Sequence, residues 1–438
     1  MNGGGRRILG SMGALLLAAG ALAASPTAAR IELGAPRDKA DVVVGCMFPM
    51  TGRGGLYGRD SVAAIELALA EIAERRDTPQ LRVLVEDTKS KSSLGALTAQ
   101  GFVERDRVHF LCGVVSSAVA LAVTEVARRT RTIFIGTDHA SSRLTEEALH
   151  RHYFRVTNNT RQSMEAGARY LQELQRRRPW RRIAFIGPDY DYGHRQWLDL
   201  RQALDALGVG YEVAAVLWPK LYEPDYSRYI AALLEAKPDL VVNGHWGGDL
   251  VAFIQQARTV RLFEKIQFAN FDAGGNYEVM AALGADMPTG LILSARHHNN
   301  WPETEANRRF VQGFHARAGR YPSYAAQGAY TGILAIAEAV ARAGGVADGE
   351  RLIAALEGLR LKLPEDPDGF ESYMDPATHQ MQQTVAIGEV VPDERFPPAK
   401  AMLSRFKVYP PEALRSAARG PAGGIQPTNA DTRIRRGP

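Results

Sequence analysis

Short, continuously apolar runs rich in β-branched residues recur along this chain at a regular pitch, each followed by a segment with helical spacing. DVVVGCMF at 41–48 is the first, and an unbroken apolar run of that length reads as a strand buried on both faces. A Gly-rich turn at 51–58 follows, then Val62, Ile65, Leu69 and Ile72 at helical intervals. The pattern repeats with strands at 81–86, 108–115 and 132–136 and helices at 93–105 and 117–129. A second series carries strands at 182–187, 211–217, 239–243, 265–269 and 290–294, separated by helices at 161–176, 194–207, 226–236 and 248–259. Alternation of this kind forces right-handed βαβ units on a parallel sheet. Two such series predict two doubly wound lobes, because single cores rarely grow beyond about 250–300 residues.

Beyond residue 300 the spacing predicts helices at 303–318, 323–343 and 349–359, then a strand-like pair at 369–373 and 383–390. The last residues, 410–438, are rich in Pro, Gly, Ala and Arg and are expected to be a disordered tail. At the other end, Arg6 and Arg7 precede an apolar run from Ile8 to Ala24, with small residues ahead of candidate cleavage points after Ala23 or Ala29. This is the layout of a secretory signal peptide over 1–29, and it predicts export to the periplasm. A membrane anchor is the competing reading. The run is Gly- and Ala-rich, however, and falls short of about 20 strongly apolar residues.

The net charge of +5 comes from basic residues scattered among Asp and Glu, so no nucleic-acid partner is expected. Cys46 and Cys112 both lie in strand-like runs. An oxidising compartment would allow them to pair, but direct neighbours in one sheet make poor disulfide geometry, which leaves two buried thiols as an equal alternative.

Catalytic equipment is hard to find. The turn Gly52-Arg53-Gly54-Gly55-Leu56-Tyr57-Gly58 misses the dinucleotide-binding glycine spacing by one residue, and no phosphate-loop Lys follows. There is no nucleophile elbow, HExxH or CxxC. The pairs His150/His152 and His297/His298 lack a third ligand and read as surface histidines. No enzyme activity, cofactor or metal is expected.

Polar, small and aromatic residues instead gather where strands end, the edge at which doubly wound sheets bind ligands. Strand 108–115 runs into Ser116-Ser117 at a helix start, where free N–H groups and a hydroxyl suit a carboxylate, although an N-cap serine would look the same. Strand 132–136 runs into Asp138-His139-Ala140-Ser141-Ser142. In the second series the corresponding turns are Asp189 to Gly193, His245 to Asp249 and Asp272 to Asn276.

In the order and spacing of several stretches the chain resembles the type I periplasmic solute-binding proteins of ABC importers, the branched-chain amino acid (Leu/Ile/Val)-binding family. The stretches are Pro49-Met50-Thr51-Gly52 with Leu56-Tyr57-Gly58, Glu86-Asp87, Gly113 to Ser117, Arg143-Leu144-Thr145, Phe154-Arg155, Asp189 to Gly193, Asp225-Tyr226-Ser227, Gln256-Ala257-Arg258 and Tyr324 to Tyr330. Together they span about 41–391. The resemblance implies an α/β fold of two Rossmann-like lobes with parallel sheets joined by three crossovers. These fall near 155–158, 294–297 and 362–374, giving lobe 1 as 41–155 plus 297–362 and lobe 2 as 158–293 plus 374–408.

The resemblance also implies a mechanism and a site. A small solute such as an amino acid, an amide or an aromatic acid is captured between the lobes by hinge closure, and a monomeric protein delivers it to an inner-membrane ABC permease. Ser117 and Ser141, with backbone at Ser116 and Ala140, would hold the ligand carboxylate; the turn at 138–142 leaves Ser141 or Ser142 open. Tyr57 and Tyr192 would line the cleft. Trp246 would stand against the ligand, and Asp272 would hold an α-ammonium group, an acid opposite a carboxylate trap being the signature of a zwitterion. The competing function on the same fold is a ligand-sensing module for a signalling partner.

Overall fold

A computed structural model describes residues 30–414 other than Asp77, together with Met1. The expected signal peptide and nearly all of the expected tail lie outside the described residues. The apolar runs do become strands, and they assemble into two sheets. In the first, Leu81–Asp87, Val42–Phe48, Phe110–Gly113, Ile133–Gly136 and Tyr153–Arg155 lie side by side in that order and run parallel. In the second, Glu212–Leu217, Arg182–Ile186, Leu240–Asn243, Gln267–Asn270 and Ile292–Ser294 repeat the arrangement. Within each lobe the second strand in sequence sits outside the first and the third on its other side. That 2-1-3-4-5 order creates a switch point between the first and third strands, where the connecting helices diverge to opposite faces and leave a crevice.

Burial explains the composition of these strands. Val42, Val44, Cys46 and Phe48 are fully buried on one face with Phe110, Ile135 and the helix Tyr324–Ala343, while Met47, Leu84 and Leu111 pack on the other face against Phe102 and Val123. The helix Tyr324–Ala343 lies tight on the sheet end because of Gly328. A Cβ there would come 1.8 Å from the Thr137 carbonyl oxygen, so only glycine lets Tyr324, one turn earlier, reach the cleft.

Cys46 and Cys112 are direct partners in the parallel pairing of their strands, and they form a disulfide. Their Cα atoms are 4.4 Å apart, at the lower edge of the range that disulfides span. Adjacency in one sheet therefore did not exclude the bond.

The chain crosses between sheets three times, after Arg155, after Ser294 and between Gln382 and Val385. The third crossing differs from the expectation of 362–374. Ser372–Asp375 and Gln380–Gln382 form a hairpin that stays in the first sheet, with Gln380 paired to Arg155, and only Val385–Pro392 and Ala401–Tyr409 join the second. Asp366 anchors the hairpin, accepting from the Ser372 backbone N–H at 2.9 Å and its hydroxyl at 2.7 Å. Three edge strands were not expected, one of them Arg360–Leu361, which pairs antiparallel with Ser372–Asp375 at the far edge of the first sheet. Ile31–Gly34 pairs antiparallel with Leu81–Asp87, and Ala401–Tyr409 closes the second sheet. At the start of the expected tail, Pro411–Leu414 forms a short helical turn whose Leu414 is buried in the second lobe's core. Among the described residues no helix is long and apolar enough to cross a membrane.

Candidate functional site

The two switch points face each other across the interlobe crevice. In the first lobe, Tyr57 follows the first strand and Val115 to Ser117 follow the third; in the second, Tyr190 and Tyr192 follow the first strand and Trp246 follows the third. Fourth strands contribute Asp138 to Ala140 and Asp272, and the fifth strand of the second lobe runs directly into Arg296. A small cavity of about 10 Å³, room for a single water, lies between them, lined by Val115, Ser117, Ala140, Tyr190, Tyr192, Trp246, Arg296 and Tyr324, so a larger solute enters only when the lobes part.

Four of the expected residues, Ser117, Ala140, Tyr192 and Trp246, form part of this wall. Ser117 opens the helix Ser117–Thr130, whose first turn has no capping side chain, and its hydroxyl accepts the Ser141 backbone N–H at 3.2 Å. Ser116 is the N-cap position and Ser141 is fully buried; neither is on the cavity wall. Ser142 also stays behind it, its N–H donating to Thr160 Oγ1 at 3.1 Å. Tyr57 stands just outside the wall, 5.6 Å from Trp246 and 5.3 Å from Tyr324 between ring centroids, and its hydroxyl donates to Glu278 Oε1 at 3.1 Å.

Asp272 is placed differently from the expectation. Arg296 donates to both of its oxygens, from Nη2 at 2.5 Å and from Nε at 3.3 Å; Tyr192 Oη adds a bond of 2.5 Å and Ser163 Oγ one of 2.8 Å. Burial pushes the Asp272 carboxyl up, but the adjacent guanidinium and these hydrogen bonds outweigh it and hold the group below the usual carboxylate range. The acid is ionised and already neutralised inside the chain. Arg296 is the charge that borders the cavity. Its Nη1 donates to the Asp138 carbonyl, and its guanidinium lies 4.9 Å from the Tyr324 ring centroid, within cation–π range. Asp138 itself is fully buried, and burial pushes its carboxyl well up despite Arg296.

The turn carrying Asp138 to Ser141 is held from behind by two buried side chains. Arg155 donates from Nη1 to the Ser141 carbonyl at 2.8 Å, from Nη2 to Thr145 Oγ1 at 3.0 Å and from Nε to Gln380 Oε1 at 2.8 Å. His139 bridges the Val114 carbonyl (2.9 Å) and the Tyr153 hydroxyl (2.8 Å), and burial drives its pKa down to about 3. Further ties run between the lobes. Arg53 Nη1 donates to the Tyr222 carbonyl at 2.9 Å, and Arg143 lies 3.4 Å from Asp191.

Sequence reasoning missed Val115, Tyr190, Arg296 and Tyr324. Each had a signal: Val115 adjoins Ser116, Tyr190 and Tyr324 lie inside stretches already singled out, and Arg296 is two residues past the end of a parallel strand. The histidines also depart from expectation. His297 and His298 are buried, and burial lowers them to about 4 and about 3. Among the described residues no group of three or more His, Cys, Asp or Glu is placed to hold a metal.

Residues 41–395 match the model of the periplasmic binding protein family. The chain belongs to that family. Members of it that resemble this chain include Leu/Ile/Val-binding protein homolog 6 of Brucella melitensis, 22% identical over 82% of this chain and 90% of the relative, and the Leu/Ile/Val-binding protein BraC3 of Rhizobium johnstonii, 23% identical over 74% and 85%. Among solved structures, an ABC transporter solute-binding protein of Rhodopseudomonas palustris BisB5, in complex with 3,4-dihydroxybenzoic acid, superposes with a TM-score of 0.74 at 22% identity, covering 86% of this chain and 98% of that one. A leucine-binding protein of Thermotoga maritima gives a TM-score of 0.71 at 17% identity over 85% and 99%. These relatives are solute-binding proteins and not enzymes, and the two-lobed type I fold is common to them.

Proposed function

We propose that this periplasmic binding protein captures a small aromatic carboxylate between its lobes and delivers it to an inner-membrane ABC permease after export to the periplasm. The observation that carries the reading is the neutralised Asp272. With both its oxygens occupied by Arg296, Tyr192 and Ser163, no unpaired acid remains there for an ammonium group, so the branched-chain amino acid reading loses its cation partner.

The wall favours an anion on an aromatic body. Tyr190, Tyr192, Trp246 and Tyr324 surround the cavity, and aromatic rings prefer tilted or offset neighbours of their own kind. The charged end has three attractions: the Ser117 hydroxyl, the uncapped start of its helix, and Arg296. A guanidinium carries five N–H donors. Its bonds to Asp272 and the Asp138 carbonyl leave donors over for a carboxylate. Fold neighbours solved with 4-hydroxybenzoate and with benzoate lend support from ligands of this class. Hinge closure follows the family's logic, since contacts made to one ligand by both lobes favour the closed state.

A thermal-shift screen of the exported chain tests this. A ligand at 100 times its dissociation constant adds about 2.7 kcal/mol of stability. 4-Hydroxybenzoate or benzoate is expected to raise the melting temperature, with leucine and small amides having less effect. A larger shift with leucine overturns the aromatic-acid reading and restores the zwitterion.

A further inference from the structure

We propose that Tyr57, Gly247 and Glu278 form a latch between the lobes that holds the cleft closed, an inference that rests on the hinge-closure reading above. Tyr57 belongs to the first-lobe helix Gly55–Ala73, whereas Gly247 opens the second-lobe helix Gly247–Thr259 and Glu278 lies in Tyr277–Leu283. The Tyr57 side chain therefore crosses the crevice to reach both partners. Its hydroxyl donates to Glu278 Oε1 at 3.1 Å.

The same hydroxyl occupies the space where a side chain on residue 247 would stand. A Cβ built on Gly247 comes 2.3 Å from Tyr57 Oη, and the next atom, Cζ, is at 3.4 Å. Gly247 has a φ of +51°, a left-handed conformation that also favours glycine. The seat is thus shaped for a tyrosine hydroxyl and nothing larger on the floor. Its neighbour Trp246 is a wall of the ligand cavity and packs on the Tyr57 ring, so seating the latch and enclosing the ligand are one movement.

Closure also changes what Glu278 experiences. One carboxyl oxygen is shut off from solvent, and burial raises the group from 4.5 to about 7, against its bond to Tyr57. The other titratable groups facing the latch are Asp60, which is paired to Arg320, Tyr324 and the buried Asp138. Opening the cleft returns Glu278 to water and to an ordinary carboxylate value. The closed form thus holds a proton that the open form releases. Closure is favoured at low pH and weakens as pH rises from about 4.5 through 7, levelling off above.

The test is the interlobe distance of the ligand-free protein, measured by double electron–electron resonance between spin labels on Lys89→Cys and Lys220→Cys. Both positions are exposed, and the native cysteines are bonded to each other. The short-distance population is expected to grow as pH falls from 8 to 5.5. In Glu278→Gln it should be high and independent of pH. Tyr57→Phe alone, which loses the bond to Glu278, should lower the short-distance population. Gly247→Ala should shift the distribution further to long distances, and Gly247→Ala with Tyr57→Phe should return it to the level of Tyr57→Phe alone, because the clash is with the hydroxyl. Circular dichroism checks that each variant is folded; if Gly247→Ala is not, Glu278→Gln and Tyr57→Phe alone decide. A wild-type distance indifferent to pH, a wild-type pH slope in Glu278→Gln, or a folded Gly247→Ala that closes normally each overturns the latch. Because no ligand is present, failure of 4-hydroxybenzoate to bind bears on the proposed function and leaves this result standing.

Discussion

Arg296 and Asp272 meet through two donors and two oxygens at the centre of the crevice, at 2.5 Å and 3.3 Å, with Tyr192 and Ser163 completing the carboxylate. Both side chains are almost wholly shut off from water. In such a place either charge alone is expensive, and removing one partner of a buried pair typically costs about 3–5 kcal/mol. Asp272→Ala is therefore expected to lower stability by that order in a urea titration, while Arg296→Met abolishes binding of an aromatic acid in calorimetry. If Asp272 instead served a ligand ammonium, Asp272→Ala would leave stability nearly intact and remove amino acid binding alone.

Ser117 and Ser116 are adjacent, yet only Ser117 borders the cavity. A hydrogen bond to a charged group contributes roughly 1.5–3 kcal/mol. Ser117→Ala should weaken aromatic-acid binding by about ten- to a hundredfold on that basis. Ser116→Ala loses no capping hydrogen bond, since its side chain makes none, and should bind almost as the parent does. Equal losses at the two positions, measured by calorimetry, would show that the carboxylate is held by the turn as a whole and not by the Ser117 hydroxyl.

How much of this was readable beforehand depends on the kind of signal. Central strands such as Val42–Phe48 and Leu240–Asn243 are buried on both faces, so their apolar runs are unmistakable. The edge strands Ile31–Gly34 and Ala401–Tyr409 carry mixed burial and lack that signature. The third crossing was misplaced because one strand-like pair was read where there are two successive pairings, Ser372–Asp375 with Gln380–Gln382 and then Val385–Pro392 with Ala401–Tyr409. At the site, position was legible and partnership was not. Asp272 stands at a strand end, as expected of a ligand residue, but nothing local announces that an arginine 24 residues later neutralises it. Ion pairing across the fold is a tertiary fact. Tyr57 illustrates the same gap, since its role is set by Gly247 and Glu278, which lie in the other lobe.

His139 supports the ligand-facing turn in its neutral form. The Nδ1–H donates to the Val114 carbonyl, and Nε2 accepts from the Tyr153 hydroxyl. Burial, reinforced by Arg155, lowers its pKa from 6.5 to about 3. A histidine depressed in the folded state contributes stability that is complete above the unfolded value and declines as pH falls below about 6.5. The wild type should therefore lose this contribution progressively as pH falls from about 6.5 towards 3, and His139→Gln should show a shallower decline in urea midpoint over the same range. In proton NMR the His139 ring should show no titration above pH 4. A midpoint near 6.5 in that spectrum would mean that the turn is open to solvent.

Cys46 and Cys112 join the strands that flank the first lobe's switch point, 66 residues apart in sequence. In the chain-entropy account a cross-link closing a loop of this length stabilises by about 4 kcal/mol, and measured values commonly run from 2 to 4. Both side chains are fully buried in an apolar cluster, so Cys46→Ala with Cys112→Ala leaves no unsatisfied polar group behind. The double variant should fold with an unchanged far-ultraviolet spectrum, lose about 2–4 kcal/mol in a urea titration and become indifferent to dithiothreitol. The oxidised parent should fall to a similar stability once reduced under unfolding conditions, because the bond is inaccessible in the native state. Ligand affinity should change far less than stability, since neither cysteine touches the cavity. A parent whose urea midpoint is the same before and after reduction would mean that the two sulfurs are not bonded in solution.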